Sequence, residues 1–319
     1  MSHEKATPVG GPVITGKTVW LLILVLVAAA LTVWRFASGL GATTALNDGY
    51  PWGLWIAFDV VSGTALACGG YAVALMVYIF NKGKYHPLVR PALLTSALGY
   101  SVAAVGIIID VGRPWLIYRI PISFGKWNLD SALLEVALCV MAYLVVLWIE
   151  LSPAFLEKWS ESSNQGWANF ARSLGAFMEK ALIWIIALGI VLPTMHQSSL
   201  GTVIMLAGPR LHGLWHTGWL PFLFLVSCIA MGYSIVVMES TLSSRAFGRE
   251  REDKMLGSLS GVISGLLFFF VVFRLGDIII SGKTALLFGS GMLSVMFWIE
   301  TALFLMPAFG LAVGRGKSS

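Results

Sequence analysis

The sequence predicts an all-α membrane protein, a polytopic bundle of about eight transmembrane helices. Hydrophobic residues make up 57% of the 319 residues and charged residues only 12%, about half the charged share of an ordinary globular domain. The mean hydropathy is +0.82. A soluble fold could not cover so apolar a chain with polar surface, so a soluble enzyme and a disordered chain are both excluded.

Eight apolar runs are long enough to cross a hydrocarbon core of about 30 Å, which takes roughly 20 residues. Because lipid offers no partner to unpaired backbone groups, these runs are predicted to be helices. We expect one integral-membrane domain over 1–319 with core helices over about 17–312, and eight helices can divide into two four-helix halves. In chain order the predicted spans are 17–38, 51–80, 89–113, 131–152, 177–203, 217–240, 256–281 and 286–312.

The segments between the runs are short and polar. The first run follows a polar stretch with Gly and Pro and no small-residue cleavage site, so it is expected to remain as a helix and not to be removed as a signal peptide. The two longest loops, 153–176 and 241–255, are polar and are expected to be exposed. The basic residues lie mainly in such loops, so the net charge of +5 indicates membrane topology and not binding of nucleic acid.

Lys and Arg divide unevenly between the two sets of loops. Fourteen lie at the termini or in the second, fourth and sixth loops, and five lie in the other loops. The positive-inside rule therefore predicts that both termini are cytoplasmic. The first set is Lys5, Lys17, Lys82, Lys84, Arg90, Lys158, Arg172, Lys180, Arg245, Arg249, Arg251, Lys254, Arg315 and Lys317, and the second is Arg113, Arg119, Lys126, Arg210 and Lys283.

The three cysteines, Cys68, Cys139 and Cys228, lie far apart inside apolar runs. They form no CxxC pair, so neither an iron–sulfur cluster nor a zinc site is expected on this chain, and no metal site is predicted. A disulfide framework is equally unsupported.

Ionisable residues within the predicted spans indicate function, because placing one in the membrane costs at least a few kcal/mol. With the topology above, most of them converge on the outer half of the bundle, whereas Glu239 lies at the cytoplasmic end of the sixth span and Glu300 lies near mid-depth. The set is Asp59, Asp110, Glu135, His196, Glu239, Arg274, Asp277 and Glu300.

Structural roles remain open for several of these residues. Arg274 and Asp277 are spaced i,i+3, as are Asp110 and Arg113, so each pair could be a local ion pair that only neutralises itself. Asp59 could cap or pair within the fold, and Glu239 could reach the interface. Glu135 has no cation on its own helix.

The histidine pattern argues against a b-type haem held by two histidines on facing helices. His196 is in a span, but the other histidines, His3, His86, His212 and His216, lie in the tail or in loops. A Met or thiolate ligand would be a weaker alternative. The sequence therefore predicts a chain without haem.

An outer polar pocket walled by aromatic side chains suits a quinone. The ring needs an apolar slot and donors to its carbonyls, and two-electron reduction needs two protons that a histidine and a buried carboxylate can supply. A proton-coupled solute carrier would use the same residue types, so the chemistry alone does not separate these two functions.

Five motifs resemble the NrfD/PsrC family of quinone-interacting membrane subunits, and the likeness covers nearly the whole chain. Within that family the sequence is most similar to the HybB-type subunits of hydrogenase-2-like nickel–iron hydrogenases. The motifs are GYPWGLWIAFD at 49–59, YHPLVRPA at 85–92, IDVGR at 109–113, LPTMHQSS at 192–199 and SVMFWIE at 294–300.

This resemblance implies a subunit of the bacterial inner membrane, without haem or clusters, that passes electrons to menaquinone or ubiquinone. The implied partners are a ferredoxin-like iron–sulfur subunit and the small and large hydrogenase subunits, facing the periplasm, with hydrogen cleavage on the large subunit. The anchor of a polysulfide or molybdopterin-type reductase is the alternative in the same class. HybB-type subunits often continue beyond the stretch that matches the eighth span, whereas this sequence stops at Ser319.

The resemblance adds Tyr100 to the residues of interest, together with Glu135, His196 and Glu239. We expect the quinone near His196, Glu135 and Asp59, with Tyr100 in the supporting wall, and Asp110 and Arg274 as further contacts. His196, Glu135, Glu239 and Glu300 are the predicted proton-handling residues, and the three carboxylates are candidates for a cytoplasmic proton route.

Overall fold

The computed structural model describes residues 14–44, 46–47, 57–248 and 252–315, and the regular structure in this part is helical. Eight helices in these ranges are long and apolar enough to cross a membrane, which confirms the predicted fold class. They are α1 (Gly16–Ser38), α2 (Phe58–Ile79), α3 (Val89–Asp110), α4 (Ala132–Ser160), α5 (Gln165–Leu206), α6 (Leu220–Phe247), α7 (Asp253–Ile280) and α8 (Met292–Arg315).

Several predicted features lie outside the described residues. They are the start of the second span and most of the first motif, 49–56, together with His3, Lys5, Arg249, Arg251 and Lys317.

Helices α4 and α5 are longer than the sequence predicted. The expected exposed loop at 153–176 is largely helical, because α4 continues through Pro153 to Ser160 and α5 begins at Gln165. The Asn164 carboxamide oxygen caps α5 by accepting from the Gly166 and Trp167 amides. Helix α5 has 42 residues, or about 63 Å at 1.5 Å per residue. Since that is about twice the hydrocarbon thickness, the α4–α5 hairpin projects from the membrane.

Helix α2 is irregular at both ends. Residues Ala57–Gly63 and Leu75–Ile79 form π-helical turns, and the chain between them breaks briefly near Cys68. The Phe80 amide donates to the Leu75 carbonyl at 2.9 Å, five residues back. A π turn inserts an extra residue into the helical register, so it re-aims the side chains that follow.

The packing centres on a four-helix unit of α2, α3, α4 and α5. Helix α2 packs on α3, α3 on α4, and α4 on α5, which returns to contact α2. Helix α6 packs against α2 and α5, α7 packs on α6, and α8 packs on α7. Helix α1 is exposed along most of its length and touches α3. Because α4 and α5 make the largest of these interfaces, the bundle does not separate between its fourth and fifth helices.

Candidate functional site

A buried polar network lies at the centre of the four-helix unit. His196 on α5 is 0% exposed and Tyr100 on α3 is 0% exposed. The Tyr100 hydroxyl lies 2.8 Å from His196 Nε2 and 3.2 Å from the Cys68 Sγ atom of α2. Gln197 Nε2 lies 3.2 Å from His196 Nε2 and donates to the Thr64 hydroxyl at 3.1 Å. Three helices thus contribute side chains to one connected cluster.

The network fixes the state of the histidine ring. His196 Nδ1 lies 3.0 Å from the Leu192 carbonyl, which can only accept, so Nδ1 carries a proton. Nε2 is then the acceptor for Tyr100 and Gln197 when the ring is neutral. The described contacts therefore support a neutral ring with Nδ1 protonated and Nε2 accepting.

An outer cluster joins α1, α2 and α3. Asp110 at the end of α3 lies beside Asp59 of α2 and near Arg35 of α1. Arg35 is only 5% exposed, and its Nη2 atom donates to the Val111 carbonyl at 2.6 Å. A Cβ atom on Gly106 would lie 3.0 Å from Asp59 Oδ2, so this glycine makes room for the carboxylate.

Two atoms of this outer cluster are unsatisfied. Arg35 Nε and Asp110 Oδ2 are buried without a hydrogen-bond partner among the described residues. Two carboxyl groups side by side repel each other when both are ionised, so a proton shared between them would stabilise the pair. The cluster therefore combines a free donor and a free acceptor near the outer ends of three helices.

Asp110 and Arg113 do not form the local ion pair considered above. Their side chains are not within 4 Å of each other, and Asp110 is paired instead with groups on other helices. Helix rotation decides this outcome, since α3 turns Asp110 towards α1 and α2.

Arg274 of α7 and Glu300 of α8 both contact the outer loop between α5 and α6. Arg274 Nη2 donates to the Leu214 carbonyl at 2.7 Å, and Glu300 accepts from the Trp215 indole at 2.6 Å. Arg274 interacts more strongly with Glu300 than with Asp277, and no ion pair within 4 Å joins Arg274 to Asp277. Through these hydrogen bonds Arg274 and Glu300 hold the loop against α7 and α8.

Glu135 and Glu239 are separate from these groups. Glu135 lies in the first turn of α4, half-buried, where a carboxylate is favoured by the helix dipole. Tyr143, which lies 6.0 Å from His196 between ring centroids, is eight residues further on, or about 12 Å along the axis. Glu239 on α6 lies near Thr95 of α3. The structure thus brings together His196 with Tyr100 and Asp59 with Asp110, but does not bring Glu135, Glu239 and Glu300 into contact.

A cavity of about 580 Å³ lies in the half of the four-helix unit opposite the outer cluster. It extends between α2, α3, α4 and α5, and its lining is mainly apolar. Glu150 of α4 faces this cavity. The sequence analysis missed Glu150 because it stands near the end of a predicted span, where a carboxylate is expected to reach the interface.

Sequence analysis also missed Arg35, Cys68 and Thr64 as members of the two clusters. Arg35 was visible as a cation inside a predicted span, which was the available signal. Cys68 and Thr64 gave no such signal, because a thiol or hydroxyl group is common within an apolar run.

The helices and clusters define a class of protein, a multi-pass membrane protein whose centre holds a network of buried polar side chains. The family model described as "Polysulphide reductase, NrfD" matches residues 42–313. The chain belongs to the NrfD family, as its motifs predicted.

Three relatives give this membership more detail. The chain is 42% identical over 320 residues to the "Probable Ni/Fe-hydrogenase 2 b-type cytochrome subunit" of Escherichia coli K12, covering 99% of the chain and 78% of that protein. It is 31% identical over 248 residues to the "Menaquinone reductase, integral membrane subunit" of Nitratidesulfovibrio vulgaris Hildenborough, covering 76% and 57%. It is 22% identical over 304 residues to a protein of Mesobacillus selenatarsenatis named as a subunit of selenate reductase, covering 86% and 69%.

The name of the Escherichia coli relative contradicts one prediction. A b-type cytochrome subunit implies haem, so the prediction of a chain without haem is wrong by this comparison. That prediction depended on the positions of the histidines and on the family resemblance, and neither says anything of ligands supplied from elsewhere in a complex.

The described histidines do not fit a haem held by two of them. They lie at three different levels: His86 lines the cavity, His196 is buried in the central network, and His212 and His216 share one outer turn. Both ring nitrogens of His196 are already engaged. A bis-histidine haem needs two free imidazoles facing each other across its plane. No chemical step is therefore derived through a haem.

Proposed function

We propose that the chain is the quinone-reactive membrane subunit of a nickel–iron hydrogenase complex. In this proposal it receives electrons from an iron–sulfur partner subunit and delivers them to menaquinone or ubiquinone. The names of two relatives, one a hydrogenase 2 subunit and one a menaquinone reductase subunit, support this class of function. Family membership supports it as well.

The observation that carries the proposal is the outer cluster with its two unsatisfied atoms. A quinone carbonyl oxygen is an acceptor, and Arg35 Nε is a buried donor without a described partner. We expect the carboxyl pair of Asp59 and Asp110 beside it to share one proton, because two adjacent ionised carboxylates repel each other. A donor and a protonated acid next to each other are what reduction of a quinone oxygen requires.

The central network would supply the second proton. Quinone reduction consumes two electrons and two protons, and the carboxyl pair holds only one proton. Thr64 bonds the Val60 carbonyl, next to Asp59, and it also receives the Gln197 amide. His196 acts in this scheme through Tyr100, since its own Nε2 atom is already bonded. Glu135 at the outer end of α4 and Arg274 on α7 remain proposed contacts of the quinone.

The proposed setting is a bacterial inner membrane with both termini in the cytoplasm and the hydrogenase subunits in the periplasm. The excess of Lys and Arg in one set of loops supports this orientation. It places the outer cluster on the side from which electrons would arrive.

The test is His196→Ala in the complex purified with its partner subunits. Hydrogen-driven reduction of a short-chain quinone should fall on the order of 10²-fold, as for loss of a proton-transfer residue. Hydrogen oxidation with an artificial dye should persist, because the dye bypasses this subunit. Equal loss of both activities in an assembled complex would contradict the proposal.

A second candidate is the membrane anchor of a reductase. The description of the matching family model as polysulphide reductase, and the relative named as a selenate reductase subunit, favour it. Mass spectrometry of the mildly solubilised complex separates the candidates by the partner that is recovered. A proton-coupled transporter, the remaining alternative, would be recovered without an iron–sulfur partner.

A further inference from the structure

The inner cavity is bounded by a polar rim and closed by an apolar floor. Arg90 of α3 forms a bidentate ion pair with Glu157 of α4, with N–O distances of 3.2 and 2.5 Å. Both side chains are well exposed. Arg172 and Glu179 of α5 lie along the same lining. These charges mark the water-facing end of the cavity.

Glu150 lies deeper in the cavity and lacks a partner. No hydrogen bond or ion pair to Glu150 exists among the described residues, and Tyr78 of α2 shares the cavity lining with it. A Cβ atom on Gly189 of α5 would lie 2.5 Å from Glu150 Oε1. Glycine at 189 therefore leaves the space that this carboxyl group occupies.

A charged carboxylate in such a place needs water or a proton. Leaving an ionised group buried and unpaired costs several kcal/mol, and a cavity of this size that is open at a polar rim has room for water. Water molecules that bridge polar groups are nearly as favourable as direct hydrogen bonds.

The spacing along α4 connects the rim to the central network. Glu157, Glu150 and Tyr143 are seven residues apart, which is about 10 Å per step along the axis. Tyr143 and Glu150 therefore share a helix face and interact electrostatically. The Tyr143 ring packs against Tyr100 at 4.8 Å and lies 6.0 Å from the His196 ring.

We infer that Glu150 is a proton-transfer residue, which takes protons from water in the inner cavity and passes them towards Tyr100 and His196. The inference deepens the proposed function and depends on it. It also assigns the inner proton route to a residue different from Glu239 and Glu300.

The transfer is balanced at each site. Glu150 gains one proton from cavity water and gives one to the water or hydroxyl above it, so it returns to its starting state after each transfer. His196 Nε2 takes a proton from the Tyr100 hydroxyl while Tyr100 is reprotonated from the inner side, and it returns that proton when Tyr100 releases one towards the quinone. Two transfers through Glu150 in each turnover supply this proton and recharge the Asp59–Asp110 pair, which gives the other. The two electrons come from hydrogen by way of the partner subunits, and the quinone leaves as quinol.

Glu150→Gln in the complete complex tests the inference, since glutamine keeps the shape and cannot exchange the proton. We expect hydrogen-driven quinone reduction to fall on the order of 10²-fold, with dye-linked hydrogen oxidation unchanged. Glu150→Asp should restore part of the rate. Glu161→Gln is the matched control, because Glu161 is an exposed carboxylate just beyond α4 and outside the cavity lining.

Labelling provides a measurement that does not depend on turnover. A hydrophobic carbodiimide, which modifies protonated carboxyl groups in apolar surroundings, should label Glu150 of the wild-type complex and leave Glu161 unlabelled. A Ser160→Cys variant at the cavity rim should react with an impermeant maleimide only from the cytoplasmic side. The three native cysteines are buried, so they should not contribute to the labelling.

The outcomes separate the two proposals. A wild-type complex that cannot reduce quinone overturns both the proposed function and this inference, which depends on it. Wild-type turnover with a Glu150→Gln rate within about twofold of it overturns the inference alone, because loss of a proton-transfer residue costs far more. If that variant does not assemble, an unlabelled Glu150 or periplasmic labelling at position 160 overturns the inference, and the opposite results support it.

Discussion

At the scale of single residues, the central histidine acts as part of a network and not as an isolated ligand. The sequence predicted that His196 and Tyr100 matter, from a polar run in a span and from the family resemblance. It could not predict that they bond to each other, because that contact depends on how α3 and α5 are rotated. Thr64 and Cys68 join them from a third helix.

Tyr100→Phe should separate the two roles of that tyrosine. The variant keeps the ring that packs on Tyr143 and removes the hydroxyl that contacts His196. Stability should fall by about 1 kcal/mol, the usual value for one hydrogen bond, while quinone-linked turnover falls much further. Thermal unfolding and steady-state rates measure the two effects. Tyr233→Phe, a buried tyrosine in another core cluster, is the control.

Gly232 is predicted to be intolerant of any side chain. Its Cβ atom would lie 2.7 Å from the Cys68 carbonyl oxygen and 2.9 Å from the Ala72 Cβ atom, where α6 meets α2. Because the Cys68 backbone cannot relieve the clash by a rotamer change, as a side chain could, Gly232→Ala should destabilise the subunit by about 1–3 kcal/mol. Gly265→Ala, with nothing within 4 Å, should leave the melting temperature in detergent nearly unchanged. Equal melting temperatures for the two variants would contradict the packing of α6 on α2.

At the scale of helices, hydrophobic runs located the membrane spans well but not the ends of α4 and α5. Hydropathy reports only the apolar part of a helix, and a capped polar extension such as that after Asn164 has the composition of a loop. Pro153 did not end α4 either, since its neighbours α3 and α5 hold the helix in place.

The outer loop between α5 and α6 is held by three side chains from distant parts of the chain. Arg274 and Lys283 donate to the carbonyls of Leu214 and His216, and Trp215 donates to Glu300. Arg274→Ala should therefore raise hydrogen exchange over 211–217 and lower the melting temperature. If Arg274 also contacts quinone, the KM for quinone should rise in the same variant. Lys126→Ala, an exposed cation in another outer loop, is the control for loss of charge.

At the scale of the whole molecule, composition predicted a membrane protein, the apolar runs predicted the number of spans, and the loop charges predicted their direction. Which ionisable residues meet was much harder to predict. Glu239, Glu300 and Glu135 are predicted at successive depths from the inner to the outer side, yet α4 has no substantial contact with α8. Depth gives one coordinate of a residue in a bundle, and the position around the bundle axis comes only from packing.

The direction of proton uptake is a property of the whole complex. If the inner cavity supplies the protons, hydrogen-driven quinone reduction in liposomes should generate a membrane potential. Glu150→Gln should abolish that potential, and Glu239→Gln should reduce it if the proposed role of Glu239 is also correct. A potential-sensitive dye provides the measurement. Wild-type turnover without a potential would show that the protons come from the outer side.

The π-helical turn at Ala57–Gly63 makes one residue of α2 surplus to a regular helix. If these seven residues formed an ordinary α-helix without loss of a residue, Asp59 would rotate by roughly 100° about the axis relative to Thr64 and Cys68, because that is the angle between successive residues. Asp59 would then turn away from Gly106 and Asp110. Deleting a single residue within the turn, for example Val61, would instead allow a regular helix to form with Asp59 close to its present orientation, because the π turn absorbs the surplus residue locally. At this position a one-residue deletion is therefore expected to disturb the carboxyl pair less than a change that makes the turn α-helical at full length.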